Sequence, residues 1–224
     1  MSTPIHLFDI YRSPNIGIFL KANDKFCLVP RGLAETKCEK ISGLLGAEVI
    51  QISIAGSRLI GPLAVLNSNG VIVSRLAEDE EIDTLTRLTH LNVARLNSRF
   101  TSVGNLIAAN DRGAIVSDII GEESVRTIEQ TLAVPVRQLR IASHVQLGSM
   151  VATTNLGAIV HPASNEAEIE AIRKTLKVDP EAATVNGGVP FVSSGFVGNS
   201  KGALLGNVTR GGELVIIGRA FDSQ

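Results

Sequence analysis

The chain has 224 residues, 44% of them hydrophobic and only 4% aromatic, enough to bury one sizeable, mostly aliphatic core. A formal net charge of −1 leaves no global field to draw nucleic acid or an anionic membrane, and no apolar run is long enough to span a bilayer. The two cysteines, Cys27 and Cys38, read as buried free thiols in a reducing compartment rather than as a disulfide or metal site.

Met1 to Phe8 carries no basic region followed by an apolar one, so no signal peptide is expected and a soluble cytoplasmic protein is. Ile5 to Tyr11 then reads as a strand. After it, one pattern occurs five times. An apolar residue precedes a Gly or Ser in Ile16-Gly17, Ile60-Gly61, Val103-Gly104, Leu147-Gly148 and Val192-Ser193. Six residues on comes Asn23, Asn67, Asn110, Thr154 or Asn199, and three further Phe26, Gly70, Gly113, Gly157 or Gly202, each followed by an apolar triplet. The steps between these last positions are 44, 43, 44 and 45 residues. A period in that range marks a solenoid, a propeller or a closed ring of equal units.

Within a unit, two apolar segments flank a turn, as in Leu63 to Leu66 and Val71 to Val73 around Asn67-Ser68-Asn69-Gly70. Asn-Gly turns between apolar runs predict hairpins, because both residue types tolerate positive φ. Phe26 breaks the Gly pattern, which predicts a different geometry for the first turn. A helix-period stripe follows: Cys38, Ile41 and Leu45; Ile82, Leu85 and Leu88; Val125, Ile128 and Leu132; Ile169, Ile172 and Leu176. Acidic residues lead these helices, where the dipole favours them, and Asn165 with Glu168 forms a capping-box pattern. A third strand ends each unit at Val49 to Ile54, Val93 to Leu96, Val136 to Ile141 and, more weakly, Ala182 to Val185.

The fifth unit runs out of chain. Glu213 to Phe221 carries both a helix stripe (Leu214, Ile217, Phe221) and strand-forming Val215-Ile216-Ile217; the logic of the repeat favours the helix. No third strand follows, while the N-terminal strand lacks a unit. Pairing the two would close the ring and remove the exposed sheet edges of an open array. The expectation is an α/β protein of one domain, residues 1–224. It comprises five strand–strand–helix–strand repeats starting near 16, 60, 103, 147 and 192, with pseudo-fivefold symmetry and closure by the N-terminal strand within residues 1–12.

Five such units in a ring form the pentein arrangement, a five-bladed α/β propeller. Tyr11-Arg12-Ser13-Pro14-Asn15-Ile16-Gly17, the run Ser53-Ile54-Ala55-Gly56-Ser57-Arg58-Leu59-Ile60-Gly61, and Gly104-Asn105 through Asn110-Asp111 resemble the translation initiation factor 6 family within it. The short C-terminus is similar to the archaeal form. The resemblance implies a ribosome anti-association factor that binds the large ribosomal subunit on its intersubunit face. It would sit beside the sarcin–ricin loop, contact ribosomal proteins and keep the small subunit away, with a part in large-subunit maturation. It also implies no catalysis and no cofactor. A closed ring is expected to act as a monomer, without membrane or DNA partners.

Equivalent loops of a symmetric array cluster on one face. The turns that open the units should therefore share a side. The candidate ribosome-binding residues are Asn15, Gly17, Arg58, Gly61, Gly104, Asn105, Gly148 and Ser149, with Ser193 to Gly195 completing the set. For the glycines, a turn at positive φ or a close backbone approach is a sufficient structural reason. Arg58 and Asn105 are polar residues beside such turns, and Arg58 would offer a planar fork to carboxylate or phosphate.

Other chemistry is poorly signalled. The alternative is a guanidino-modifying pentein enzyme, which would need a nucleophilic Cys near the C-terminus, where this chain has none. His6, His90, His144 and His161 are scattered, so no helical metal site is expected. Glu78 to Glu81 reads as a solvated helix start rather than a cation loop. Gly56 to Gly61 lacks the Lys-Ser/Thr of a phosphate loop. Fourteen arginines against seven lysines suit bidentate contacts, but one Tyr, seven Phe and no Trp offer few platforms for bases. Contact with rRNA is therefore expected to be accessory.

Overall fold

Each apolar triplet is part of the middle strand of a three-stranded sheet, and there are five such sheets. The computed structural model describes residues 3–222; residues 1, 2, 223 and 224, at the limits of the expected domain, lie outside the described residues. The five units have inner, middle and outer strands as follows: Lys21–Ala22, Phe26–Pro30 and Glu48–Ile52; Ala64–Leu66, Gly70–Ser74 and Asn92–Leu96; Ile107–Ala109, Ala114–Ser117 and Val136–Leu139; Val151–Thr153, Ala158–Val160 and Pro180–Ala182; Phe196–Gly198, Ala203–Gly206 and Ile5–Phe8. Inner and middle strands pair antiparallel. Middle and outer strands pair parallel. A parallel pair needs a crossover. Within the first four units this is the helix Glu35–Leu45, Asp79–Thr89, Glu122–Leu132 or Glu166–Leu176.

The N-terminal strand is the outer strand of unit 5, with Ile5 opposite Ala203 and Phe8 opposite Gly206. It is shorter than Ile5 to Tyr11 because Ile10 bridges to Ser13 in a tight bend. The ambiguous C-terminal stretch is the helix Gly211–Phe221. Its stripe decides it: Ile217 and Phe221 are buried while Val215 is exposed. The fourth outer strand lies earlier than Ala182 to Val185. Proline is tolerated at the start of an edge strand, so Pro180 opens it, and Val185 serves a bend with Val189.

No unit owns a core. In the middle strand of unit 1, Cys27 and Val29 face unit 5, packing with Phe8, Val197 and Leu204. Phe26 and Leu28 face unit 2, packing with Val71, Val73 and Leu85. Strand side chains alternate, so a strand buried on both faces must be apolar throughout. Each of these seams holds one of five aliphatic clusters. Full burial of one such side chain contributes about 1.5–3 kcal/mol, and here every contribution requires a neighbouring unit.

The hairpin turns differ from the expected type. None of Asn67, Asn69, Gly70, Asn110, Gly113, Asn199 or Gly202 has positive φ. Instead the Asn side chain folds back, Asn67 Oδ1 accepting from the N–H of Asn69 and of Gly70 at 2.9 and 3.0 Å. The glycine is needed because its α-carbon lies against the C-terminal carbonyl of the next unit's helix, Thr131 for Gly70 and Thr175 for Gly113. The first turn, expected to differ, has the same bonds: Phe26 N–H donates to Asn23 Oδ1 at 2.7 Å. What differs is its surroundings, since Phe26 packs in the seam beside Leu85 and Leu91.

Candidate functional site

The five turns that open the units converge on the axis of the ring. They are short helical segments, Ile16–Phe19, Ile60–Leu63, Val103–Asn105, Leu147–Met150 and Val192–Gly195. A Cβ on Gly61 would overlap the Gly17 carbonyl; on Gly104, the Gly61 carbonyl; on Gly148, the Gly104 carbonyl; and on Gly17, the Ser193 carbonyl. Each unit thus sits against the backbone of its predecessor, and the chain of contacts closes between units 5 and 1. All four glycines are buried with negative φ. Close approach, not a left-handed turn, accounts for them.

Strand direction sets the two sides of the ring. The middle and outer strands both end on the side of these turns, and the helices begin there. The candidate side chains on that side differ in availability. Arg58 is exposed, with no salt bridge among the described residues, its guanidinium carbon 5.6 Å from the Tyr11 ring centroid. Tyr11 meets Phe19 edge-on at 5.3 Å. Asn105 is half-buried and, with Ser149, Ser193 and Ser194, lines the axial dimple beside the glycines. Ser149 spends its hydroxyl on the Gln146 carbonyl at 2.7 Å. Asn15 Oδ1 accepts from Asn186 Nδ2 at 3.2 Å, linking unit 1 to the last bend.

Several residues on this side were not among the expected binding residues. Tyr11, Leu59 and Phe191, each more than 40% exposed, all lie in or beside the bends that precede the turns. Arg99, over the Phe100 ring at 4.7 Å, borders a groove that also holds Ser102, Asn105 and Gln146. This groove marks the only one of the five junctions without a tight bridged bend among the described residues. Tyr11 and Leu59 lie in the runs Tyr11 to Gly17 and Ser53 to Gly61, with Tyr11 beside Arg12, whereas nothing local in the sequence marked Phe191 or Arg99. His144 and His161, scattered in the sequence, have ring centroids 6.3 Å apart, and the Phe191 ring centroid lies 6.3 Å from that of His161. Burial, then the His144 charge, holds the His161 pKa below its ordinary value, while Glu168 opposes. Among the described residues no group of three or more His, Cys, Asp or Glu could hold a metal ion.

The bends are built from left-handed residue pairs: Tyr11 and Arg12, Ala55 and Gly56, Ala142 and Ser143, Asn186 and Gly187. The third helical residue of the following unit's long helix reaches three of these four. Glu81 accepts from Ala55 and Gly56 N–H at 2.7 and 3.0 Å. Glu168 accepts from Ala142 N–H at 3.1 Å. Glu213 accepts from Gly187 and Gly188 N–H at 3.0 and 2.8 Å. In unit 1 that position is Lys37, which donates instead to the Asp9 carbonyl at 2.9 Å. In unit 3 it is Ser124, which donates to the Asn97 carbonyl at 3.0 Å.

The other side of the ring is a hydrogen-bonded girdle. Asn199 Nδ2 donates to the Asn23 carbonyl, Asn23 Nδ2 to Asn67 and Asn110 Nδ2 to Thr154, at 3.0, 2.8 and 3.0 Å. Between the two sides runs an axial cavity lined by the inner strands, including Lys21, Val65, Ile107, Thr153 and Val197, and by Ser193 of the last opening turn. Burial lowers the Lys21 pKa to about 8. Both cysteines lie outside this cavity, among the residues packed between sheets and helices. Burial, then the neighbouring Cys38, pushes the Cys27 thiol up to about 12, which removes it as a nucleophile.

The eIF-6 family profile matches residues 5–220 of the chain. A protein of Cenarchaeum symbiosum named Translation initiation factor 6 is 50% identical over 217 residues, covering 97% of this chain and 98% of its own. Proteins of the same name from Nitrosopumilus maritimus and Thermococcus gammatolerans are 47% and 45% identical, covering 96% and 97% of this chain and 97% of each of theirs. Among solved structures, the N-terminal domain of ArgZ, an arginine dihydrolase from cyanobacteria, is 14% identical. It covers 71% of this chain and 65% of its own, with a TM-score of 0.46.

Proposed function

We propose, from the premise that this chain belongs to the eIF-6 family, that it is a translation initiation factor. In this reading it binds the intersubunit face of the large ribosomal subunit, keeps the small subunit from joining, and takes part in large-subunit maturation. The observation that carries it is the makeup of the turn side. Exposed Tyr11, Leu59 and Phe191 stand there with Arg12, Arg58 and Arg99. Aromatic residues and arginine dominate the energetics of protein–protein interfaces. A protein-dominated contact also suits a net charge of −1, with rRNA contact accessory.

Arg58, Asn105, Ser149 and Asn15 supply the polar part of the contact. Buried Gly17, Gly61, Gly104 and Gly148 hold the turns in place rather than touching the partner. We read the factor as a non-catalytic cytoplasmic monomer without cofactor. Among the described residues no cysteine, histidine or carboxylate side chain lines the axial cavity between the inner strands, and no helix is long and apolar enough to cross a membrane.

Sucrose-gradient sedimentation with purified subunits tests the reading. The protein should co-migrate with the large subunit and reduce the yield of joined ribosomes. Arg58→Ala and Asn105→Ala, with unchanged melting temperature, should each weaken binding several-fold. Subunits that join normally in the presence of excess protein would overturn the reading.

A further inference from the structure

The first bend differs from its equivalents in one respect that bears on recognition. Tyr11 and Arg12 have φ of +53 and +62, close to the +55 and +65 of Ala55 and Gly56. Both bends are bridged alike, Ile10 to Ser13 and Ile54 to Ser57. In the second bend the two N–H groups aim at one carboxylate, that of Glu81. In the fifth, Glu213 also takes two successive N–H groups, one residue further on, those of Gly187 and Gly188, while the Asn186 N–H donates to Thr209 Oγ1 at 3.0 Å. In the first, neither the Tyr11 nor the Arg12 N–H donates to any acceptor among the described residues. The helix position that supplies the glutamate elsewhere holds Lys37, whose ammonium turns to Asp9.

The bend is therefore built, its two residues are exposed, and no described residue fills it. Its surroundings favour an anion. Tyr11 and Arg12 are exposed, the Arg58 guanidinium stands over the Tyr11 ring, and neither arginine has an acidic partner among the described residues. Two left-handed residues at one bend cost roughly 1–2 kcal/mol each. Successive N–H groups in such a bend form a concave donor pair suited to an anion. We propose that the first bend, through the N–H groups of Tyr11 and Arg12, receives a carboxylate of a ribosomal protein, in the place that Glu81 and Glu213 fill at the second and fifth bends. This rests on the docking role proposed above and names the chemistry of one contact. A protein carboxylate is favoured over phosphate because the three filled bends of this same chain all hold carboxylates.

The experiment pairs an amide titration with two variants. In the full-length protein, acetate should move the Tyr11 and Arg12 amide resonances saturably and leave Ala55 and Gly56 in place. Lys37→Glu should fill the seat from within. Both amide resonances should shift without added acetate and stop responding to it, the melting temperature should rise, and large-subunit binding should weaken about tenfold or more. Lys37→Gln, which brings no carboxylate, should keep binding within about threefold of the parent. Three outcomes would overturn the proposal: acetate moves neither amide, phosphate alone moves them, or Lys37→Glu shifts both amides yet binds the large subunit as the parent does. Lys37→Glu leaving the amides unshifted would equally refute the equivalence of the bends. Failure of the parent protein to bind large subunits would instead refute the docking role, while the amide titration still reports on the seat.

Discussion

Asn67 Nδ2 donates at 3.1 Å to the backbone carbonyl of Asn110, one unit further round the ring. The same nitrogen donates at 2.8 Å to the Leu132 carbonyl at the end of a helix. One side chain therefore joins two units and caps a helix. Asn110 and Asn199 repeat both bonds, to Thr154 and Leu176 and to Asn23 and Leu45. At unit 4 the residue is Thr154, whose hydroxyl turns back to Leu156 N–H at 3.0 Å. The helix carbonyl left over there, Phe221, is met by the Thr3 hydroxyl at 2.7 Å.

Asn67→Ala removes the donor to the Asn110 carbonyl and the acceptor of the Asn69 and Gly70 N–H groups, while the Leu132 carbonyl keeps Asn69 Nδ2 at 3.0 Å. A buried group left unpaired costs about 1–3 kcal/mol, so the variant should lose roughly 2–4 kcal/mol of stability. The urea midpoint of unfolding measures this, and a loss below about 0.5 kcal/mol would mean water replaces the amide.

Thr154→Asn should close the girdle between units 4 and 5. One new buried hydrogen bond to the Asn199 carbonyl contributes about 0.5–1.5 kcal/mol. A rise in melting temperature is expected; an unchanged or lower one would show that Asn199 lies out of reach.

Two glycine substitutions should act with opposite sign. Gly43 lies exposed within the helix Glu35–Leu45 with open space at its Cβ position, so Gly43→Ala should stabilise by about 0.5–1 kcal/mol. Gly61→Ala places a methyl group on the Gly17 carbonyl, and backbone must move to admit it. A loss above about 4 kcal/mol, or failure to fold, is expected. Equal and small effects in denaturant titrations would contradict the axial packing.

Glu213 gives stability a dependence on acid. Burial raises its pKa, but donors from Thr184, Arg210, Gly187 and Gly188 outweigh burial and hold it below the ordinary 4.5. The folded value is the lower one, so the carboxylate's stabilisation is complete above about pH 4.5 and is lost as pH falls through the folded value. Glu213→Gln should therefore unfold more easily at pH 7 and show a shallower loss of stability on acidification. Parallel stability curves for the two proteins across pH 3 to 6, a range set by the ordinary glutamate value, would refute this.

The repeat, the order of elements and the ring were legible in the sequence, because apolar spacing within a unit is set by local geometry. Middle strands declare themselves by Cys27-Leu28-Val29 and its equivalents, helices by stripes such as Val125, Ile128 and Leu132, and the missing outer strand of unit 5 by simple count. The family motif followed from contiguous residues such as Ser53 to Gly61. Tertiary structure alone decided what the singled-out residues are for. Gly17 and Gly61 are 44 positions apart, and nothing local distinguishes a glycine pressed on a distant carbonyl from one in a left-handed turn. Nor does spacing reveal that Glu81 fills the bend at Ala55 while Lys37 leaves the one at Tyr11 open. Such contacts depend on how one unit is set against the next. That placement is fixed by the apolar seams between units, which belong to the assembled ring and to no single stretch of chain.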